Sequence, residues 1–230
     1  MAQMRPAGDR RTSVDDIFNA IQDDILTLRL RPGDKISEAE VAARFNVSRQ
    51  PVRDAFSRLA NLDLLLIRPQ RATEVRRFSM REIVKSRFVR AAVEKEVLRL
   101  AARNCDPIGA AQLEVALAAQ DKALRENDVE TFGKLDYAFH GTLCDIARAD
   151  FAFDVILAEK SKLDRLCLLS LSQKNRMPQL AADHRAIAEA VQHNDEARAV
   201  AAGVLHLSRL DETIEQICVS NANYFEPDQP

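Results

Sequence analysis

The chain lacks an apolar run long enough to cross a membrane. No segment approaches the ~20 consecutive apolar residues that a transmembrane helix needs, and the first ten residues, MAQMRPAGDR, lack the apolar core of a signal peptide. Charged residues make up 30% and apolar residues 47% of the 230 positions, which is typical of a globular protein with one large domain or two modest ones. We therefore expect a cytoplasmic protein with no membrane partner.

Cysteine pairs and strong net charge are also missing. The cysteines at positions 105, 144, 167 and 218 form no C-x-x-C motif, so reduced thiols are expected. Overall charge is close to neutral, which alone argues against a nucleic-acid partner. The charge is, however, unevenly distributed along the chain. Residues 1–77 carry 14 Lys/Arg against 11 Asp/Glu, and the remaining residues carry 19 Lys/Arg against 24 Asp/Glu. A weakly basic head on an acidic body points mildly to nucleic acid at one end.

Apolar spacing and capping residues predict three helices in the first third of the chain. Apolar residues recur at helical spacing over residues 14–29. An S-x-x-E capping box opens at Ser37 and predicts a short second helix that ends at Phe45. Ser48 caps a third helix, with Pro51 near its first turn, where a missing N–H is harmless.

Two short β-prone segments follow the third helix. LLLI at 64–67 and TEV at 73–75 are joined by RPQRA and predict a small hairpin. The order helix, helix, turn, helix, hairpin is that of a winged helix-turn-helix. Arg49 and Arg53 lie four residues apart on the third helix and project from a face other than its apolar stripe.

From residue 79 onward the pattern is helical, and no strand pattern interrupts it. Breaks fall near NCDP (104–107), END (126–128), RAD (148–150), NRMP (175–178) and HND (193–195). We predict a mostly α fold: a winged helix-turn-helix of three helices plus a small β-hairpin in residues 1–77, then an all-α bundle of about six helices in residues 78–230.

The phrase PGDKISEAEVAARFNVSRQPVRDAFSRL carries the most specific signal in the chain. It resembles the winged helix-turn-helix of GntR-family transcriptional regulators, whose hallmark is PG-x-x-L-S-E-x-x-L-A-x-x-x-x-V-S-R-x-P-V-R-x-A-L. Nearly every position of that hallmark is matched. The resemblance implies that the N-terminal domain binds double-stranded DNA. A helix N-terminus that enters the major groove favours phosphate binding, because its backbone N–H groups and the positive end of the helix dipole point toward the DNA.

Five residues of this head are predicted DNA contacts. Arg49 and Arg53 can donate two hydrogen bonds to guanine O6 and N7, and are predicted to read base edges. Ser48 and Gln50 are better suited to phosphate, and Arg71 is a candidate contact from the wing. The alternative is that the two helical arginines form only a solvated helix face.

Three positions depart from the family pattern. The family usually has glycine in the turn after the third helix and again at the wing tip, where a positive φ is convenient. Here those places hold Asp63 and Ala72, which predicts a reshaped wing. A basic residue common on the second helix is replaced by Ala39, which removes one possible DNA contact.

Three phrases in the helical remainder carry a second resemblance. RFVRAAVEKEVLRLAA (87–102), DYAFHGTL (136–143) and HRAIAEAVQHNDEARAVAAGVLHL (184–207) resemble the FCD ligand-binding domain that defines the FadR-type branch of the same family. Many members of that branch bind a divalent metal through one Asp and three His that line a cavity in the bundle. The matching positions in this chain are Asp136, His140, His184 and His206.

Spacing gives independent support to this ligand set. Asp136 and His140 are i, i+4 on one helix, so their side chains share a face. His184 begins one late helix and His206 lies in the next, so both can point an imidazole into a shared core. Three imidazoles and one carboxylate suit Zn²⁺, Ni²⁺, Mn²⁺ or Fe²⁺, and zinc is the expected metal. The alternative is a set of satisfied polar residues in a helical core.

Two neighbouring candidates receive other interpretations. Cys144 continues the row of Asp136 and His140 at i+8, and we expect it to pack as a small buried hydrophobe. His193 lies at a predicted helix end, where a solvated role is expected.

The resemblance also implies an effector, commonly a small organic acid whose carboxylate or hydroxyl meets the metal. Arg90 matches a position that can point into the cavity and clamp such a carboxylate. Equally, Arg90 can pair with Glu94 at i, i+4, and the sequence leaves both readings open.

Together these expectations describe a homodimeric regulator that reads a palindromic operator and responds to an organic-acid effector. One alternative is a metal-responsive regulator in which the ion itself is the signal. A metal-dependent enzyme is the weaker alternative, because no nearby motif supplies a general base. No catalytic residue is predicted.

Overall fold

The computed structural model describes residues 13–163, 165–166 and 176–227, which fall into two compact units. The first unit ends at Phe78 and also contains the tail that begins at Asn223, and the second unit is Ser79–Ala222. The predicted boundary after residue 77 lies one residue from this division. The tail is grouped with the first unit, whereas the sequence placed it in the second domain.

The first unit is a three-helix domain with a small antiparallel sheet. Its strands follow the order β1-β3-β2, with Ile36 opposite Thr73 and Leu65 opposite Val75. The elements are α1 (Val14–Leu26), β1 (Lys35–Ile36), α2 (Glu38–Phe45), α3 (Arg49–Asn61), β2 (Leu65–Leu66) and β3 (Thr73–Val75). The predicted hairpin is β2 and β3. Strand β1 was not predicted, because two residues are too few to display a strand's period of two.

The core of the first unit explains why α3 presents one face outward. Ile17 and Ile21 of α1 are fully buried, as are Val52 and Leu59 of α3. The apolar stripe of α3 therefore faces α1 and the rest of that core. The N-terminal polar positions of α3 stay at the surface.

Local caps differ in detail from the sequence pattern. Ser37 caps α2 by accepting a hydrogen bond from the backbone N–H of Ala39, at 3.2 Å, rather than from Glu40 in the predicted capping box. Ser48 occupies the N-cap position of α3 without a side-chain cap hydrogen bond. The side-chain hydroxyl of Ser48 therefore makes no capping hydrogen bond to the backbone of α3.

Among the residues with a positive φ are Asp63 (56°), in the turn after α3, and Gln70 (57°), between β2 and β3. Asp63 thus adopts the left-handed backbone in the turn where the family prefers glycine. Between β2 and β3 the left-handed residue is Gln70, whereas Ala72, at the place where the family has glycine, has no positive φ. A non-glycine residue pays roughly 1–2 kcal/mol for this conformation.

The second unit is a helical bundle. Its described residues include six helices with given bounds and the helical residues 165–166, and they form no strand. The six helices are α4 (Met80–Asn104), α5 (Pro107–Glu126), α6 (Val129–Ile146), α7 (Phe151–Ser161), α8 (Arg176–Gln192) and α9 (Glu196–Ser220). Four predicted breaks are confirmed. At NRMP, α8 is described from Arg176 and residue 175 lies outside the described residues, so this break stays a prediction. Pro178 falls in the first turn, where its missing N–H has no intrahelical partner to lose.

Close packing between α4 and α9 depends on a glycine of α9. A Cβ at Gly203 of α9 would collide with the Leu98 side chain of α4, so glycine permits this approach. The core around it includes Phe139, Leu143 and the fully buried Cys144 of α6. Cys144 is therefore a packing residue, as expected, and burial raises the pKa of its thiol to about 12.

The tail of the chain adds a parallel β-bridge to the first unit. The backbone N–H of Phe78 donates to Tyr224 O at 2.8 Å, and that of Glu226 donates to Phe78 O at 2.8 Å. The rings of Phe78 and Phe225 lie 5.5 Å apart and both side chains are buried. The residues after α9 are thereby fixed to the segment that precedes α4.

Two sequence expectations concern the remainder of the chain. Cys105, Cys144 and Cys218 are free thiols, and Cys167 lies outside the described residues. None of the described helices combines the length and apolar character that a membrane span requires.

Candidate DNA-reading surface and metal centre

The start of α3 presents the predicted DNA contacts on an open surface. Ser48, Arg49, Gln50 and Arg53 are all exposed, on the side of α3 away from its buried stripe. Arg71 is exposed in the segment between β2 and β3. The structure thus leaves all five side chains accessible, and DNA contact by each of them stays a prediction.

Neighbouring carboxylates already organise part of this surface. Arg53 donates through Nη2 and Nε to the Glu38 carboxylate of α2, at 3.2 and 3.4 Å. Gln50 donates to Asp54 at 2.9 Å. Exposed pairs of this kind contribute little to stability, because water screens them and the side chains lose freedom. Arg53 can therefore exchange Glu38 for a nucleic-acid acceptor at small cost.

The second unit brings the four predicted metal ligands together. One donor atom from each of Asp136, His140, His184 and His206 lies within 4.8 Å of the other three. All four residues are buried, with exposed fractions of 8%, 4%, 0% and 7%. Asp136 and His140 come from α6, His184 from α8 and His206 from α9.

Three ring nitrogens in this cluster have no hydrogen-bond partner. They are Nε2 of His140, Nε2 of His184 and Nδ1 of His206. Nε2 of His184 lies 3.3 Å from Asp136 Oδ1 but without hydrogen-bond geometry. Buried polar atoms are nearly always satisfied in folded proteins. Three unsatisfied nitrogens facing one carboxylate oxygen fit a cation that accepts their lone pairs.

Side chains from two other helices contact the second ring nitrogen of His140 and of His184. Glu94 of α4 contacts His140 Nδ1 at 3.0 Å, and Gln120 Oε1 of α5 lies 2.8 Å from His184 Nδ1. Each contact fixes its ring so that Nε2 points toward the cluster. Outer partners of this type orient metal ligands and set the tautomer of the imidazole.

The Asp136 carboxylate is fixed in the same way. Its Oδ2 lies 2.7 Å from the Lys160 ammonium of α7, whereas Oδ1 is the oxygen on the side of His184. The ammonium also lies 3.7 Å from the centre of the Tyr137 ring. Oδ1 is thus the Asp136 oxygen presented to the histidines.

Two further ion pairs adjoin the cluster. Arg90 Nε donates to Glu94 Oε1 at 2.8 Å, and both residues are buried. Arg209 of α9 donates through Nε and Nη2 to Asp183, at 3.1 and 3.2 Å, and Asp183 Oδ2 lies 4.0 Å from His206 Nδ1. The i, i+4 ion pair between Arg90 and Glu94, one of the two alternatives that the sequence left open, is therefore present.

The electrostatics favour the metal-binding protonation state in three of the four candidate ligands, Asp136, His184 and His206. Burial would raise the pKa of Asp136, but the Lys160 ammonium and the nearby histidines hold it well below 3.8. Burial lowers the pKa of His184 below 6.5 against the opposing Asp136 carboxylate. Burial, reinforced by His184 and His140, lowers the pKa of His206 well below 6.5. Carboxylate and neutral imidazole are the forms that bind metal ions.

Glu94 is charged for a related reason. Burial opposes ionisation, but the attraction of His140 and Arg90 outweighs it and lowers the pKa of Glu94 from 4.5 to about 2. Sequence reasoning identified Glu94 only as a partner for Arg90 and missed Gln120 and Lys160 altogether. Nothing in local spacing could reveal them, because each meets its ligand across a helix interface.

The remaining histidine lies outside this cluster. His193 is exposed at the end of α8, and its Nδ1 lies 2.7 Å from Glu189 O. This agrees with the solvated role expected from its position at a helix end.

Comparison with protein families gives each unit an assignment. Residues 13–75 match the family described as bacterial regulatory proteins, gntR family, and residues 86–209 match the FCD domain. The match to the first family covers the winged helix-turn-helix, and the match to the second covers the four clustered ligands. The class of protein that these two units define is a DNA-binding transcriptional regulator.

Relatives of similar length carry names of the same kind. The chain is 36% identical to the HTH-type transcriptional repressor RspR of Escherichia coli K12 over 209 residues, covering 91% of this chain and 92% of the relative. It is 32% identical to an uncharacterized HTH-type transcriptional regulator of Streptomyces ambofaciens, covering 95% and 92%. The protein belongs to the GntR family of transcriptional regulators with an FCD domain, and it is a regulator rather than an enzyme.

Solved structures share the fold at lower identity. McbR/YncC of E. coli aligns with a TM-score of 0.66 and 17% identity over 88% of this chain and 97% of that one. A putative GntR regulator from Rhodococcus sp. RHA1 aligns with a TM-score of 0.65 and 20% identity over 88% and 97%. At these identities the likeness concerns the fold alone.

Proposed function

We propose that this regulator binds a divalent metal ion, with zinc as the proposed metal, through Asp136, His140, His184 and His206, and that a small organic-acid effector at this site controls operator affinity. The observation that carries the proposal is the set of three buried, partnerless imidazole nitrogens beside one carboxylate oxygen. Three nitrogen donors and one oxygen donor suit zinc and also nickel, manganese or iron(II). We infer on the same basis that the FCD domain is of the FadR type.

A bound ion would supply positions at which a carboxylate or hydroxyl of the effector can coordinate. Arg90 is buried and its guanidinium lies against Glu94, so we propose that it assists the effector only through that pair or by exchanging Glu94 for the effector's carboxylate. A charge-assisted contact of either kind is strong in a buried setting.

The DNA-bound form that we propose is a homodimer on a palindromic operator. Two equivalent heads related by a two-fold axis read two equivalent half-sites. Arg49 and Arg53 read base edges, Ser48 and Gln50 contact phosphate, and Arg71 contacts the DNA from the wing. The name of the E. coli relative, a repressor, favours repression as the direction of control.

Metal analysis of a ligand-deleted variant tests the site. The protein as purified is expected to hold about one ion per chain, and the Asp136→Ala, His140→Ala double variant is expected to hold none. His193→Ala is the matched control, because this histidine is exposed and outside the cluster. Stoichiometric metal in the double variant would remove the site from the proposal.

An operator-binding assay separates the effector from the ion as the signal. Metal-loaded protein is titrated onto its operator with and without candidate organic acids, and separately after chelation. We expect the acid to change affinity while the metal stays bound. A change on chelation alone, with no effect of any acid, would instead identify a metal-responsive regulator.

A further inference from the structure

The guanidinium of Arg53 is held along one of its two donor edges. Nε and Nη2 form the lateral edge, and they donate to Oε1 and Oε2 of Glu38 at 3.4 and 3.2 Å. The part of the chain that the structure describes offers this guanidinium no second acceptor. The terminal edge, formed by Nη1 and Nη2, therefore stays open on a side chain that is 59% exposed.

Glu38 is itself fixed on a different helix from Arg53. It is the first residue of α2, which Ser37 caps, and its side chain is 31% exposed. A carboxylate in the first turn of a helix is stabilised by the positive end of the helix dipole. Helices α2 and α3 share one core, to which Val41 and Val52 contribute. The packing of the two helices therefore determines where the Glu38 carboxylate meets the α3 arginine.

Arg49, about one turn earlier on α3, has no such partner. Its side chain is exposed and makes no hydrogen bond or ion pair with the described residues. An arginine that rotates freely can follow either a phosphate or a base, whereas a guanidinium held on one edge offers its remaining donors in a fixed direction. The two arginines of α3 thus differ in orientation, although the surface pair of Arg53 adds little to stability.

We propose that Glu38 is a specificity-determining residue, which directs the open edge of Arg53 at guanine. The inference rests on the base-edge contact that the proposed function gives Arg53. Guanine O6 and N7 lie side by side and accept two N–H bonds, which Nη1 and Nη2 can donate while Glu38 stays in place. Glu38 acts through Arg53 and does not itself touch the base, so it is a positioning residue.

The same pair disfavours a competing contact with the DNA backbone. A phosphate that approaches the lateral edge of Arg53 must first displace Glu38, whereas a guanine at the terminal edge meets the pair intact. Displacement costs little at a surface, so we expect a preference of a few fold and not a complete block.

The first arm of the test identifies the guanine that Arg53 reads. Wild-type protein selects a duplex from a random-sequence library, and fluorescence anisotropy gives the dissociation constants of this duplex and of its single-base variants. Arg53→Ala is expected to lose the preference for guanine at one position. Replacement of that guanine by 7-deazaguanine, which lacks the N7 acceptor, is expected to weaken wild-type binding roughly fivefold or more, because the contact is no longer bidentate.

The second arm compares two substitutions that remove the same charge from α2. Glu38→Gln is expected to lower the preference for the identified guanine roughly threefold or more, the size of coupling between residues in contact. Glu40→Gln is the matched control and is expected to retain the preference. Glu40 is exposed on the same helix and makes no ion pair with the described residues. Circular dichroism checks the folding of each variant.

A double substitution separates positioning from a direct contact of Glu38 with DNA. In the Arg53→Ala background, Glu38→Gln is expected to leave every base preference unchanged, because no guanidinium remains to be directed. A direct contact of the Glu38 carboxylate with a base, such as cytosine N4, would still alter a preference in that background.

The outcomes distinguish this inference from the proposal on which it rests. An unchanged guanine preference in Glu38→Gln, an equal loss in Glu40→Gln, or an altered preference in the Arg53→Ala background overturns the positioning role of Glu38. Each of these results leaves Arg53 standing as a base reader. Base preferences that Arg53→Ala does not alter overturn the base contact of the proposed function, and the inference about Glu38 with it.

Discussion

The two units place their functional side chains in opposite environments. In the first unit the predicted DNA contacts are exposed, and Arg53 rests on a surface carboxylate. In the second unit the four candidate ligands are at most 8% exposed, and buried side chains from neighbouring helices hold three of them. The predicted DNA-contacting arginines of the first unit are therefore exposed to solvent, whereas the clustered histidines of the second unit are buried.

The difference follows from where each ligand comes from. DNA arrives as a large polyanion from outside, so its contacts must be open, and release of counterions supplies much of the affinity. In the proposed second-unit site a metal ion and a small acid would be enclosed, so their contacts would gain from the exclusion of water and from fixed geometry. Single substitutions should therefore have large structural effects in the second unit and mainly functional effects in the first.

The largest expected effect is that of Glu94→Ala. Glu94 is shared by Arg90 and His140 in a fully buried setting, and breaking such a pair costs about 3–5 kcal/mol of unfolding free energy. The loss of its contact with His140 should also weaken metal binding roughly 10–100-fold. Urea unfolding and a zinc titration measure the two effects.

A matched surface pair serves as the control for Glu94. Glu130 and Lys134 have the same i, i+4 type of contact, at 2.6 Å, but both are exposed. Glu130→Ala is expected to leave the urea midpoint and the zinc affinity unchanged. Equal destabilisation by the two variants would contradict the contrast between a buried pair and a surface pair.

A smaller but still clear effect is expected from Phe225→Ala in the tail. The ring packs on Phe78 and is 8% exposed, so its removal should cost the first unit about 3 kcal/mol. Glu226→Ala is the control, because its backbone bond to Phe78 stays and its side chain makes only a 3.8 Å contact with Arg76. Thermal unfolding that is identical in both variants would show that the tail does not stabilise the head.

Arg49→Ala and Arg53→Ala should change DNA binding and leave stability almost unaltered. Each is expected to weaken specific operator binding roughly tenfold or more, because a bidentate contact to guanine is lost. Fluorescence anisotropy with the operator and with a scrambled duplex separates specific from general binding.

Arg58 on the same helix provides the comparison. Its guanidinium pairs with Asp15 at 2.6 Å and lies 4.3 Å from the Phe18 ring centre, so it faces α1. Arg58→Ala should leave operator specificity intact. If Arg49→Ala and Arg53→Ala bind the operator as wild type does, the two arginines form only a solvated face.

The smallest effect concerns the wing. Gln70 has a φ of 57°, so Gln70→Gly should relieve left-handed strain and stabilise the first unit by about 0.5–1 kcal/mol. Ala72→Gly, at the position where the family pattern suggested glycine, should give no gain because Ala72 has no positive φ. A higher melting temperature for Ala72→Gly than for Gln70→Gly would reverse this assignment.

Sequence patterns predicted most of the fold because their signals are local. Apolar spacing and capping residues act over three or four positions, and they placed α2, α3 and most boundaries between the later helices. The errors arose where no local signal exists. Strand β1 is two residues long, and the tail at Phe225 packs on the first unit only through tertiary contacts.

The sequence alone determined the chemistry that each unit can offer. It identified the arginines of α3 by the resemblance of their motif to the GntR family. It identified the four candidate ligands by their match to the metal-binding positions of the FCD domain, and the i, i+4 step from Asp136 to His140 supported that match. Only the tertiary structure decided which side chains surround them, including Gln120 on His184 and Lys160 on Asp136. Those contacts join helices far apart along the chain. Helix packing, and not sequence spacing, therefore determines which polar and charged side chains surround the four candidate ligands.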